Sequence, residues 1–242
     1  FSDDVRDMDW KGAAGFHRPY IKVFEEEREL TVMLLIDVSG SLDFGTHRQM
    51  KSEMVAEIAA TLAFSAIQNN DKIGVVFFSD KIEKYIPPKK GRKHILYIIR
   101  ELLDFHAESR RTDLNEPLEF LSNVMKRRCT VFMLSDFYTR TDFLSPLTIC
   151  SRKHDVVAVQ VYDKCAAELP DVGLMKVVDA ETGHEQYIDT SSRKIRQAHR
   201  DYWIKRQTAL QDVFNKNNVD SISIATDEDY VKSLLILFKQ RS

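Results

Sequence analysis

The segment that most constrains the fold is residues 30–41, with the sequence LTVMLLIDVSGS. Its apolar run shows no polar alternation, which is typical of a strand covered by helices on both faces of a parallel sheet. The run ends in Asp37, and Ser39 and Ser41 follow at alternate positions. Because alternate residues of an extended chain point the same way, these three side chains can converge beyond the carboxyl ends of the strands, where ligands collect in such sheets.

An Asp-x-Ser-x-Ser pattern is common by chance, so a site needs partners elsewhere in the chain. Thr112 follows a polar loop and opens a predicted helix, which places its hydroxyl at a helix start. Residues 129–135 form a second buried-strand pattern, and Asp136 follows it directly. The predicted constellation therefore has five oxygen-bearing side chains: Asp37, Ser39, Ser41, Thr112 and Asp136.

Two carboxylates in one cluster repel each other unless a cation lies between them or one of them takes up a proton. Magnesium prefers oxygen ligands in an octahedral arrangement and keeps some of its waters, which suits two carboxylates and three neutral hydroxyls. The alternative is a site without metal, in which Asp37 and Asp136 cap turns and the serines bond backbone amides.

These positions resemble the metal-ion-dependent adhesion site of von Willebrand factor A domains. More narrowly, three stretches resemble the bacterial family called domain of unknown function fifty-eight. They are Asp3-Asp4-x-Arg6-x-x-Asp9-Trp10 in an N-terminal arm, the charged run of residues 24–29, and Arg111-Thr112-Asp113-Leu114. The resemblance covers nearly the whole chain.

The resemblance implies that Ser39, Ser41 and Thr112 bind Mg²⁺ or Mn²⁺ directly or nearly so, and that Asp37 and Asp136 act partly through water. An ion held mostly by neutral hydroxyls keeps positive charge and an open position, which a carboxylate of a partner protein can fill. Members of the family are commonly encoded beside MoxR-type AAA+ ATPases and other von Willebrand A proteins. The resemblance therefore implies a role in a chaperone-like assembly with one of these as partner.

We therefore predict a non-enzymatic protein–protein interaction module. One alternative is a metal-dependent phosphatase or hydrolase, but haloacid-dehalogenase-like phosphatases need a second aspartate where this chain has Ser39. Residues 38–42 do not match the G-x-S-x-G pattern of serine hydrolases, and the seven histidines include no H-E-x-x-H pair. A metal-free structural scaffold is the other alternative.

Composition limits the partners and the compartment. The 35 basic and 37 acidic residues give a net charge of −2, so no field attracts nucleic acid or an anionic membrane. Three cysteines without a C-x-x-C pair predict free thiols in a reducing compartment. The sequence has no apolar run of roughly 18 residues, so we expect no membrane span and a cytoplasmic location.

Strands alternate with amphipathic helices along the chain, which predicts an α/β fold with a doubly wound, mostly parallel sheet flanked by helices. The predicted helices lie at residues 49–69, 93–103, 114–125, 143–150, 192–215 and 230–239. After the first strand, the predicted strands lie at residues 73–78, 82–86, 129–135, 156–162 and 221–224. Pro87-Pro88 is expected to end the strand at 82–86, which reads as an edge strand.

The expected domain organisation has two parts. Residues 1–29 form an arm that packs on the domain, and residues 30–242 form a single von Willebrand A-like domain. A hairpin insertion near residues 174–189, with Gly183 in its turn, is expected to add to the sheet.

Overall fold

The computed structural model describes residues 30–42, 44–45, 49–139, 141–179 and 182–241. The predicted arm, residues 1–29, lies outside these ranges, as do residues 180–181 in the predicted hairpin. The division into an arm and a domain of residues 30–242 stays a prediction.

The described strands form one large sheet and one separate pair. They are β1 (Thr31–Asp37), β2 (Lys72–Phe78), β3 (Ile82–Lys89), β4 (Thr130–Ser135), β5 (Asp155–Tyr162), β6 (Leu174–Val178), β7 (Glu185–Asp189) and β8 (Asp220–Ala225). The large sheet has the order β3-β2-β1-β4-β5-β8. Its neighbouring strands are parallel except for the antiparallel pair of β2 and β3.

Helices cover both faces of this sheet. They are α1 (Lys51–Gln68), α2 (Arg92–Asp104), α3 (Asn115–Val124), α4 (Leu144–Lys153), α5 (Lys164–Ala167), α6 (Arg193–Lys216) and α7 (Tyr230–Arg241). A 3₁₀ turn at Gly40–Leu42 and the four-residue α5 were not predicted. The doubly wound α/β arrangement expected from the sequence is confirmed. Among the described helices, none has the length and apolar character of a membrane span.

The alternation of β1 divides the core into two layers. Leu34 and Ile36 pack in one cluster with residues of α1, α2 and α7. Met33 and Leu35 pack in the other cluster with residues of α3, α4 and α6. A strand that is apolar at every position is therefore explained by helices on both of its faces.

The prediction that Pro87-Pro88 ends the edge strand was wrong, because β3 continues to Lys89. Proline is tolerated on an edge strand and at irregular pairing, and the register between β2 and β3 shifts between Ile73 and Val75. The backbone of β3 passes close to Gly74 of β2, which is possible because glycine has no side chain. A Cβ on Gly74 would lie 2.8 Å from both the Ile86 carbonyl oxygen and the Pro88 nitrogen.

The hairpin is formed, but the expectation that it adds to the large sheet was wrong. In the described part of the chain, β6 and β7 pair with each other in a two-stranded antiparallel sheet. The position beside β5 is taken by β8, which comes later in the chain and pairs with β5 in parallel. In the described residues, the hairpin is therefore a separate two-stranded sheet and not an extension of the large one.

Candidate metal centre

The two central strands bring the predicted acidic residues to one edge of the sheet. Asp37 is the last residue of β1, and Asp136 follows the last residue of β4. β1 and β4 are parallel neighbours, and Ile36 pairs with Leu134. The chain therefore delivers both carboxylates at the same carboxyl edge. Asp37 is 1% exposed and Asp136 is 6% exposed.

The three predicted hydroxyls lie in contact with one another at this edge. The Thr112 hydroxyl donates a 2.7 Å hydrogen bond to Ser39 Oγ, and Ser39 Oγ lies 3.0 Å from Ser41 Oγ. All three residues are buried. Thr112 and Ser39 are 73 residues apart in the chain, so the contact depends on the path of the loop that carries Thr112.

Backbone hydrogen bonds fix that loop against the strand ends. The Gly40 amide donates to the Arg110 carbonyl at 3.1 Å, and the Asp113 amide donates to the Ser79 carbonyl at 3.0 Å. The prediction that Thr112 stands at a helix start was wrong, because α3 begins at Asn115. The side chain that bonds the first turn of α3 is that of Asp113, whose Oδ1 accepts a hydrogen bond from the Asn115 amide at 2.9 Å.

Both oxygens of Asp37 accept hydrogen bonds from protein groups. Oδ1 accepts from the Ser39 amide at 2.9 Å, and Oδ2 accepts from the Ser135 hydroxyl at 2.5 Å. Burial, and then the charge of Asp136, raise the pKa of Asp37 to about 6, although the hydrogen bonds from Ser135 and Ser39 act in the opposite direction. An ion at this edge would therefore meet an Asp37 carboxylate whose oxygens are already partly engaged.

Ser135 was not among the predicted site residues. Besides donating to Asp37, its Oγ accepts from the Phe137 amide at 2.9 Å. Its position gave a usable signal, because the last residue of a buried parallel strand lies at the same carboxyl edge as the acid that follows it.

Asp136 is held by a cation, Lys51, that was not among the predicted site residues. Its Oδ1 accepts from the Tyr138 amide at 2.9 Å, and its Oδ2 accepts from Lys51 Nζ at 2.6 Å. The two side chains are 7% and 8% exposed, so the ion pair is buried. Lys51 shares a helical face with Met54, Val55 and Ile58, all of which are buried. That spacing could have identified Lys51 as an inward-facing lysine.

A second cation approaches from α6. Arg206 donates from Nη2 to the Phe137 carbonyl at 2.7 Å, and its guanidinium lies 4.5 Å from the centre of the Tyr138 ring. Burial lowers the pKa of Arg206, and the charge of Asp136 opposes that shift. Two cations of the protein, Lys51 and Arg206, therefore act on Asp136, and only Lys51 is in direct contact with its carboxylate.

The donor set fits a hard divalent cation in chemical type. The described residues contain no group of three or more His, Cys, Asp or Glu side chains that could hold a metal ion. An ion here would therefore depend on the hydroxyls of Ser39, Ser41 and Thr112 as well as on the two carboxylates. Oxygen-only ligation of this kind suits Mg²⁺ or Mn²⁺.

A match to a known protein family identifies the family of this chain. The family described as "Protein of unknown function DUF58" matches residues 1–209. This chain belongs to that family. The DUF58 chain is 31% identical over 183 residues to the uncharacterized proteins Mb1516 of Mycobacterium bovis and Rv1480 of Mycobacterium tuberculosis, an alignment covering 75% of the chain. It spans 58% of the length of these relatives.

Two solved structures share the fold of the DUF58 chain. The conserved hypothetical protein BatB from Bacteroides thetaiotaomicron aligns with a TM-score of 0.59 and 12% identity over 88% of this chain and 97% of its own. An aerotolerance-related membrane protein from Bacteroides fragilis aligns with a TM-score of 0.59 and 14% identity over 87% and 99%. At these identities the likeness concerns the fold, and the predicted doubly wound, mostly parallel α/β class is confirmed.

Proposed function

We propose that this DUF58 domain is a non-enzymatic module that binds a protein partner through Mg²⁺ or Mn²⁺. The ligands would be Asp37, Ser39, Ser41, Thr112 and Asp136. The observation that carries the proposal is the buried contact of three hydroxyls, contributed by two distant parts of the chain, at the edge where both carboxylates end.

The bound ion would supply a positive centre with an open position for an oxygen ligand from outside. The protein's own residues would do the rest. Ser39, Ser41 and Thr112 would offer neutral oxygens and leave the charge of the ion largely uncompensated. Asp37, engaged with Ser39 and Ser135, would act partly through water. A Glu or Asp side chain of a partner would complete the ligand sphere.

We further propose a MoxR-type AAA+ ATPase, or another von Willebrand A protein, as the partner. This proposal is supported by the family resemblance alone. No described residue identifies a partner. A cytoplasmic setting is part of the proposal and is supported by Cys129, Cys150 and Cys165, which are free thiols. The arm of residues 1–29 would pack on the domain as a structural element.

A metal-free scaffold is the second candidate, because one observation favours it. The buried pair of Lys51 and Asp136 already satisfies one carboxylate of the site with a protein cation. In a scaffold the same contacts would hold β1, β4 and α1 together and would need no ion.

Metal titration separates the two candidates. We expect wild-type protein to bind one Mn²⁺ in isothermal calorimetry, and Thr112→Val to bind it at least about tenfold more weakly, as is usual when a group that supports a metal site is lost. Valine keeps the shape of threonine but removes the hydroxyl that contacts Ser39. Thr208→Val is the control, since Thr208 lies exposed on α6 and bonds the Ile204 carbonyl. No heat at millimolar Mn²⁺ from wild type, or from a variant that lacks the Lys51 ammonium group, would favour the scaffold.

Partner binding is tested with a purified MoxR-type ATPase. We expect immobilised wild-type protein to retain the ATPase in Mg²⁺ and to release it in a chelator. The Asp136→Ala variant should retain little under either condition, because it lacks one of the two carboxylates. Equal recovery in all four samples would contradict metal-dependent adhesion.

A further inference from the structure

The cation that holds Asp136 is in an unusual place for a lysine. Lys51 is the first residue of α1, and a helix start carries partial positive charge, which favours acidic side chains there. The helix start already has its own acidic partner, since Glu53 Oε2 accepts from the Met50 amide at 2.9 Å. Capping of α1 therefore does not explain Lys51.

The surroundings of Lys51 direct its ammonium group toward the site. The backbone amide of Lys51 donates to the Phe44 carbonyl at 3.1 Å, and Nζ lies 5.9 Å from the centre of the Phe44 ring. Nζ is 2.6 Å from Asp136 Oδ2, and Lys51 is 7% exposed. An ammonium group with so little contact with water depends on Asp136 for its charge compensation.

We propose that Lys51 is an internal competitor of the divalent ion, which deepens the proposed function and rests on it. The ammonium group would hold Asp136 in the metal-free protein and would leave Asp136 when the ion binds. A single carboxylate oxygen cannot be in close contact with an ammonium group and also serve a divalent cation without strong repulsion between the two positive charges. Binding of the ion and the Lys51–Asp136 contact therefore weaken each other.

This exchange has two consequences for the protein. The affinity for the ion is lowered by the work of separating Lys51 from Asp136. The start of α1 also becomes sensitive to occupancy, because Lys51 is joined there to Phe44 and Met50, whose side chains are 43% and 49% exposed. Binding of the ion would thus change the surface around Phe44 and Met50, beside the site.

The test is calorimetric titration with Mn²⁺ of wild type, Lys51→Met and Lys51→Gln at one pH and ionic strength. We expect both variants to bind Mn²⁺ at least about tenfold more tightly than wild type, in the range by which groups contacting a metal ligand change affinity. Methionine keeps the length of the side chain without the charge, and glutamine keeps a hydrogen-bond donor for Asp136. Lys232→Met, at an exposed position of α7, controls for the change in net charge and should bind as wild type does.

Thermal unfolding gives a readout that does not depend on heats of binding. In chelator, Lys51→Met should unfold at a lower temperature than wild type, and Mn²⁺ should raise its midpoint by more than it raises that of wild type. Binding by a Lys51 variant but not by wild type would support the exchange in its strongest form. Equal affinities in wild type and both variants would overturn the exchange and leave the proposed function standing. Absence of binding in all of them, with folded protein, would overturn both.

Discussion

We expect Phe77→Ala to lower the free energy of unfolding by about 3–5 kcal/mol, the cost typical of emptying a buried aromatic position. Phe77 lies in β2 and is 0% exposed. Its ring stacks on that of Phe105, with centroids 4.7 Å apart and an interplanar angle of 7°. Phe105 follows the end of α2, where the chain enters the loop that carries Thr112. The cavity would therefore lie next to Phe105, where that loop begins.

Equilibrium unfolding in urea measures this loss, and Phe64→Ala is the matched control. Phe64 lies on α1 and is 47% exposed, so removal of its ring should cost less than about 1 kcal/mol. Similar losses in the two variants would mean that the structure around Phe77 collapses to fill the space, and that Phe105 does not depend on it.

The central strands could be predicted because each of them is apolar at consecutive positions. β1, β2 and β4 lie between two helical layers, so their residues need no polar face, and the pattern survives in the sequence. Asp37 and Asp136 could be expected at one edge, because each follows an apolar strand run and parallel neighbouring strands end together. This part of the site follows from local pattern and sheet topology.

The contact between Thr112 and Ser39 could not be derived in this way. It depends on how the loop before α3 crosses the strand ends, and hydrogen bonds from Gly40 to Arg110 and from Asp113 to Ser79 fix that path. Both are hydrogen bonds between backbone groups, so the types of the residues do not predict them. Thr112 was singled out by its predicted place at a helix start, which was wrong because the helix begins at Asn115, and by the resemblance of residues 111–114 to a family.

Lys51 was missed for a different reason. A lysine near a helix start is ordinarily assigned to solvent, since the side chain is charged and flexible. Its helical spacing with Met54 and Val55 predicts an inward direction, and that signal outweighs residue type here. A charge that points inward also requires a counter-charge, so the lysine and Asp136 could have been inferred as a pair.

In chelator, we expect Asp136→Asn to lower the free energy of unfolding by about 3–5 kcal/mol, because the substitution leaves the Lys51 ammonium buried without an opposite charge. Asparagine can still accept from the Tyr138 amide, so the change isolates the charge. Urea unfolding measures the loss. The control is Asp220→Asn, whose carboxylate pairs with Arg241 but is 56% exposed. An exposed pair of this kind should contribute about 1 kcal/mol or less.

The double variant Asp136→Asn with Lys51→Met decides whether the loss comes from an unpaired charge. If it does, removing the ammonium as well should restore most of the stability that Asp136→Asn loses, because no uncompensated charge is then buried. Additive losses would show instead that each side chain contributes through packing. A loss in Asp136→Asn no larger than that in Asp220→Asn would mean that solvent reaches the pair. In that event the ammonium could not exclude an ion from the site, since separating it from Asp136 would cost little.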